Sequence, residues 1–290
     1  MFDGFSHKRI KTQETTINVV HGGSGPAVLL LHGYPQTHVC WHRVAPRLAE
    51  HFTVVCPDLR GYGDSDKPAS DPTHYVYSKR AMARDQVEVM KALGFEDFAV
   101  VGHDRGARVA HRMALDFPNR VSSLTLLDIV PTATAFARID RKLATSDYHW
   151  FFLVQPDGLP ERLIGADAEF YLRWMLDHWC GTPGALTAEA LSEYVRCFDS
   201  GMIHATCEDY RAAATVDLEH DDADNDRQIA CPLLLLWSAK GTGSSFDVPG
   251  VWREKASADL RGRPMDCGHF LAEELPNEVS DELMAFLMEP

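Results

Sequence analysis

Short, unbroken apolar runs recur along the chain at Ala27–Leu31, Thr53–Pro57 and residues 98–102, 124–129 and 232–237, and helical patterns such as residues 80–93 separate them. Each run is strand-sized, and the alternation predicts a parallel sheet wrapped by helices, an α/β fold. Between about 131 and 220 the rhythm breaks: the chain turns helical and rich in Trp, Tyr and His, and the sheet pattern resumes at Ile229. This predicts three segments: a first part of the core at 1–131, a helical cap inserted at 132–220, and a second part of the core at 221–290. A cap over the sheet excludes water and supplies substrate contacts from above.

In such sheets the working residues sit on loops beyond the carboxyl ends of the strands. Three loops qualify: His32-Gly33-Tyr34-Pro35, the turn around Asp104, and Asp128-Ile129-Val130-Pro131. The second follows an apolar run and reads Gly102-His103-Asp104-Arg105-Gly106. Its two glycines allow the sharp strand-to-helix turn called a nucleophile elbow, which pushes the middle side chain out above the sheet. An α/β-hydrolase usually has serine there, and this chain has aspartate. A carboxylate that attacks an acyl carbon forms an anhydride with no gain. Attack on a saturated carbon bearing a leaving group gives an alkyl ester that water then hydrolyses. The expected substrate is a halide or an epoxide.

Ester hydrolysis needs a base, and His269 in Asp266-Cys267-Gly268-His269-Phe270 stands in the last strand-to-helix connection. The order nucleophile, acid, histidine fits the triad of this fold. Two residues compete as the acid, Asp128 directly after an apolar run and Asp247 near a Gly- and Ser-rich loop. Asp128 is preferred because a buried strand anchors its backbone. The backbone N–H groups of Tyr34 and Arg105 are the expected oxyanion donors. Arg105 and Arg108 follow the nucleophile on its helix. An Asp104–Arg108 ion pair at i, i+4 is one use for that spacing. The other is a guanidinium clamp on a substrate carboxylate, which selects a small 2-haloacid.

The net charge of −14 over 290 residues argues against a nucleic-acid partner, so an acidic substrate needs arginines supplied locally. No apolar stretch approaches a membrane span and no signal segment opens the chain, so a soluble, cytoplasmic protein is expected. The seven scattered cysteines lack metal-ligand spacing, which predicts reduced thiols, several of them packed in the core. The acidic run 219–226 reads as a solvated connector.

Several segments together resemble the fluoroacetate dehalogenases of the α/β-hydrolase superfamily: Leu31-His32-Gly33-Tyr34-Pro35-Gln36, Asp58-Leu59-Arg60-Gly61-Tyr62-Gly63, Gly102-His103-Asp104-Arg105-Gly106, Leu127-Asp128-Ile129, His149-Trp150, Asp209-Tyr210-Arg211-Ala212 and Gly268-His269-Phe270. The resemblance runs along nearly the whole chain. It implies the α/β-hydrolase fold, a mostly parallel sheet with helices on both faces and a helical cap. It also implies Asp104 as nucleophile, Asp128 and His269 as its triad partners, and Arg105 and Arg108 on the substrate carboxylate. His149, Trp150 and Tyr210 would bind the departing halide, to which imidazole, indole and phenol all donate hydrogen bonds. The implied reaction converts a haloacetate to glycolate and halide without a metal or organic cofactor, and the resemblance suggests a homodimer.

An epoxide hydrolase is the alternative, sharing fold and nucleophile and using cap tyrosines as acids; Tyr148, Tyr171, Tyr194 and Tyr210 are available. Arg105 beside the nucleophile matches a neutral epoxide poorly. A non-catalytic receptor for a small anion would not need the complete Asp104, Asp128 and His269 set. Ser244 and Ser245 lie in no elbow, which argues against a serine hydrolase.

Overall fold

The computed structural model describes residues 1–289. Eight strands form one sheet: β1 (Ser6–Lys11), β2 (Thr16–Gly23), β3 (Ala27–Leu31), β4 (Thr53–Pro57), β5 (Phe98–His103), β6 (Val121–Leu127), β7 (Leu233–Ser238) and β8 (Leu260–Met265). Their order is β1-β2-β4-β3-β5-β6-β7-β8, and only the β1–β2 and β2–β4 pairings are antiparallel. Register sets Leu31 opposite Gly102 and Gly102 opposite Leu126, while Leu127 pairs with Leu236. The carboxyl ends of β3, β5, β6 and β7 therefore reach one rim together, and the loops that leave them meet there.

The apolar runs become the inner strands. They lack polar alternation because both faces are covered: in β3, Val28 and Leu30 join one core while Leu29 and Leu31 join the other. The α-helices before β6 are α1 (Ala45–Leu48), α2 (Lys79–Ala92) and α3 (Arg105–Asp116). Helices α2 and α3 pack together, with α3 laid on β5 and β6. Between β6 and β7 run α4 (Thr132–Ala137), α5 (Arg141–Ser146), α6 (His149–Phe152), α7 (Leu159–Gly165), α8 (Ala168–Trp179), α9 (Ala188–Cys197), α10 (Ser200–Ala213) and α11 (Val216–Ala223). Leu153, at the end of α6, and Leu172, Met175 and Tyr194 from these helices share one apolar cluster with Leu29 and Val100 of the sheet. The chain closes with α12 (Val248–Arg253), α13 (Leu271–Glu274) and α14 (Pro276–Leu287).

The acidic run differs from its expectation as a solvated connector. Its first five residues lie in α11, and two of its five carboxylates have partners: Arg112 Nη2 meets Asp221 at 2.6 Å, and Arg112 Nη1 and Arg80 both reach Asp224. The basic residues of α2 and α3 lie too far along the chain for this pairing to be read from the run itself. All seven cysteines are free thiols, six buried and Cys180 half-buried. Among the described residues no helix is long and apolar enough to cross a membrane.

Candidate active site

Asp104 sits between β5 and α3 with φ +48° and ψ −115°, a conformation that L-residues rarely adopt and that rigid surroundings must enforce. Close backbone packing does so. A Cβ on Gly102 would lie 2.5 Å from Ala107 Cα, and one on Gly33 would lie 2.5 Å from Asp104 Cβ. Only glycine permits the end of β3 to press against the turn. The Tyr34 N–H consequently reaches the tip of the elbow and donates to Asp104 Oδ1 at 2.9 Å.

The turn after β6 presents Asp128, and the turn after β8 presents His269. His269 Nδ1 donates to Asp128 Oδ2 at 2.6 Å, while Asp128 Oδ1 accepts the Ser238 N–H at 2.9 Å. These bonds leave Nε2 facing Asp104, 3.9 Å from Oδ2. Asp247 instead accepts the Gly250 N–H at 3.1 Å and caps α12. Burial depresses the His269 pKa, but the Asp128 hydrogen bond and the Asp128 and Asp104 charges outweigh it, and the net shift is upward. Burial raises the Asp104 pKa, yet His269, Arg105, His103 and Arg108 together hold it below the usual carboxylate value. Asp104 is therefore an anion at neutral pH.

The two arginines are held differently. Arg105 is fully buried and grips Asp209 as a fork, with Nε to Oδ2 at 3.0 Å and Nη2 to Oδ1 at 2.7 Å. Tyr62 and Lys79 also bind Asp209. This leaves Arg105 Nη1 buried without a partner. Arg108 forms no ion pair with Asp104; its Nη1 donates to Val130 O at 3.1 Å and Thr132 Oγ1 at 2.8 Å. Its Nε is likewise buried and unpartnered. Burial, then repulsion from Arg105, lowers the Arg108 pKa to about 10, and it stays cationic at neutral pH.

Aromatic side chains from the helices between β6 and β7 close around these groups. The Arg105 guanidinium lies 4.2 Å from the Tyr210 ring centre and that of Arg108 lies 4.8 Å from Trp150. His149 is buried, 5.5 Å from Tyr210 and 4.6 Å from Trp179, while Trp150 is half-buried. His149 Nδ1 and Tyr210 OH have no protein partner. Burial, with the cations opposing Asp104, lowers the His149 pKa to about 3, so its ring is neutral; burial and Asp104 keep the Tyr210 phenol protonated. A cavity of about 650 Å³ is lined by Asp104, Arg108, Asp128, His149, Trp150 and His269, among others. Arg105, Tyr210 and Tyr34 are not among the residues that line it.

Sequence reasoning gave no role to Asp209, Trp179, His103 or Glu274. Asp209 fixes Arg105, Trp179 O accepts the His269 N–H at 2.8 Å, and His103 Nε2 donates to His269 O at 2.7 Å. Burial and the His269 charge lower the His103 pKa to about 4, so it bonds as a neutral ring. Among the described residues no group of three or more His, Cys, Asp or Glu is arranged to hold a metal ion.

The family model for the alpha/beta hydrolase fold matches residues 26–276. The chain belongs to the α/β-hydrolase family. Within that family it is similar to a fluoroacetate dehalogenase of Burkholderia sp, 47% identical over 99% of this chain and 95% of that protein. A soluble epoxide hydrolase of Corynebacterium sp. (strain C12) is 34% identical over 97% of this chain and 96% of its own. Among solved structures, an α/β hydrolase from Nostoc sp PCC 7120 is 57% identical, covers 100% of both chains and superposes with a TM-score of 0.98. The chain is thus similar over nearly its whole length to proteins named for halide chemistry and for epoxide chemistry.

Proposed function

We propose that this α/β-hydrolase is a hydrolytic dehalogenase of small 2-haloacids, converting fluoroacetate or another haloacetate to glycolate and halide. One observation carries the reading: an anionic aspartate at the elbow lies beside two buried arginines, each with an unpartnered N–H. Buried donors left unmatched cost free energy unless a ligand pairs with them, and a carboxylate is the ligand two guanidiniums prefer.

In the first half-reaction Asp104 Oδ2 attacks the halogen-bearing carbon from behind. The C–O bond forms as the C–X bond breaks, and the halide leaves with the bonding pair toward His149, Trp150 and Tyr210. Hydrogen bonds to a halide strengthen as its charge develops, so these donors act mainly in the transition state. In the second half-reaction His269 Nε2 takes a proton from water, which attacks the carbonyl carbon of the ester. The oxyanion forms on Oδ1, which the Tyr34 N–H already contacts. Collapse breaks the bond to the alkyl oxygen, which takes the proton and departs as the hydroxyacid. Asp104 is regenerated with one oxygen from water.

The Corynebacterium relative motivates the epoxide alternative. Of the four tyrosines, Tyr194 is buried against Gln36 and Tyr171 bonds Tyr34, which leaves Tyr148 on the cavity wall and the unpartnered Tyr210; the two arginines near Asp104 favour an anionic haloacid over a neutral epoxide. We further infer that segment 132–220 serves as a lid, and that the protein is a cytoplasmic homodimer.

The test is halide release from fluoroacetate, chloroacetate and bromoacetate, with styrene oxide in parallel. Fluoride release supports the full reading. Chloride or bromide alone retains the mechanism and removes fluoride specificity. Epoxide opening without halide release overturns the reading, and Asp104→Asn must abolish whichever activity is found.

A further inference from the structure

Glu274 lies at the end of α13, five residues after His269, and is almost fully buried. Among the described residues no cation pairs with it. Its carboxylate is matched by main-chain donors: Oε2 accepts the N–H of Gly181 at 2.9 Å and of Gly268 at 2.8 Å, and Oε1 accepts that of Phe270 at 3.0 Å. Two of these donors flank His269. The third belongs to the segment leaving α8, whose Trp179 carbonyl takes the His269 N–H itself.

Both segments cross backbone on backbone. A Cβ on Gly181 would lie 2.5 Å from Gly268 N, and one on Gly268 would meet Gly181 N and Trp179 O, with Glu274 Oε1 at 2.8 Å. Trp179, Gly181, Gly268 and His269 all line the cavity. We propose that Glu274 is a positioning residue that clips the histidine loop to the end of α8, so that the aim of His269 Nε2 depends on the helical segment being seated. A carboxylate suits this place because it accepts on both oxygens and donates nothing. An amide would turn an N–H toward an N–H.

The inference rests on the proposed role of His269 in the second half-reaction, and that makes it sharp. Misaiming the base slows ester hydrolysis and leaves alkylation of Asp104 intact, whereas general loosening slows both. For Glu274→Gln, rapid-quench mass spectrometry with a haloacetate should show carboxymethyl ester accumulating on Asp104. Halide should be released in a burst of about one per site, followed by turnover about 10- to 100-fold slower than wild type. Equal slowing of both halves, or no slowing, overturns the proposal. Gly181→Ala disturbs the same crossing from the α8 side and replaces Glu274→Gln should that variant not fold.

Deuterium exchange separates this failure from that of the functional reading, since it needs no substrate. Residues 179–182 and 267–271 should lose protection together in Glu274→Gln while β5 stays protected. Unchanged exchange overturns the clip even in an active enzyme. A wild type that releases no halide overturns the dehalogenase reading, and the paired loss of protection still decides the clip.

Discussion

At the scale of single residues, the site divides into groups whose partners are near in sequence and groups whose partners are far. Asp104, Asp128 and His269 are legible because each follows a strand and carries local punctuation, glycine around the elbow and glycine before the histidine. The use of Arg105 is not legible, since the Asp209 that consumes most of its guanidinium lies on a distant helix. Asp209→Asn therefore has an expected cost in both function and stability. Breaking the fork leaves Arg105 buried without its counter-charge, and stability should fall by roughly 3 kcal/mol. The Arg105 Nη1 would lose its aim, and KM for a haloacid should rise at least 10-fold. Steady-state kinetics and thermal melting check the two separately. His269 sets the pH dependence. Its folded pKa lies above the ordinary 6.5, and only the neutral ring takes a proton from water, so ester hydrolysis should decline as pH falls through that raised value. A rate profile of kcat with its acid limb below 6.5 would contradict this.

At the scale of elements, β3 to β7 are legible in the sequence and β1, β2 and β8 are not, and for the edge strands the reason is physical. A strand covered on both faces must be apolar throughout, as 27–31 and 98–102 are. Edge strand β1 is Ser-His-Lys-Arg-Ile-Lys and is mostly exposed, and edge strand β8 carries two arginines and a proline. Such residues keep sheet edges from pairing with other chains, and they also hide the strand from a reading based on hydrophobicity. The acidic end of α11 is hidden in a similar way, with Asp221 answering Arg112 and the C-cap Asp224 answering Arg80 and Arg112 across the fold. Arg112 is buried among Asp116, Asp221 and Asp224. Arg112→Ala should therefore free α11 first: exchange over 216–224 should rise, with halide release close to wild type. Protection unchanged there would show that apolar packing alone holds the helix.

At the scale of the whole molecule, buried carboxyls give stability two slopes in pH. Asp58 and Asp209 are held below the ordinary value: burial opposes this, but His38 and His32 around the first and Arg105 and Lys79 around the second prevail. Their contribution is present above 3.8 and is lost as pH falls through the folded values. Glu273 has the opposite sign. It is buried against Gln36 and Tyr194, and burial pushes its pKa from 4.5 up to about 8. Its contribution is present in full below 4.5 and is lost as pH rises through about 8. Melting temperature should therefore decline from mildly acidic to mildly alkaline pH, and Glu273→Gln should flatten that decline. An unchanged slope in the variant would assign it to other groups.

The cysteines bear on what it means to live with such a substrate. Chloroacetate and bromoacetate are alkylating agents, and a thiolate is the protein group they attack most readily. Burial raises the pKa of all seven thiols, to about 11 for Cys180 and Cys231 and well above the ordinary 9.0 for the rest. Cys180 alone lines the cavity, and its thiol donates to the Thr182 carbonyl at 3.2 Å. An enzyme that concentrates an electrophile beside its own sulfur survives by keeping that sulfur protonated. Long incubation with bromoacetate at neutral pH should leave Cys180 unmodified by peptide mass spectrometry, and its carboxymethylation would show that the chamber is not self-protected. The protonated thiols are then a condition of durability: under the proposed mechanism, alkylation falls on a carboxylate that water can restore.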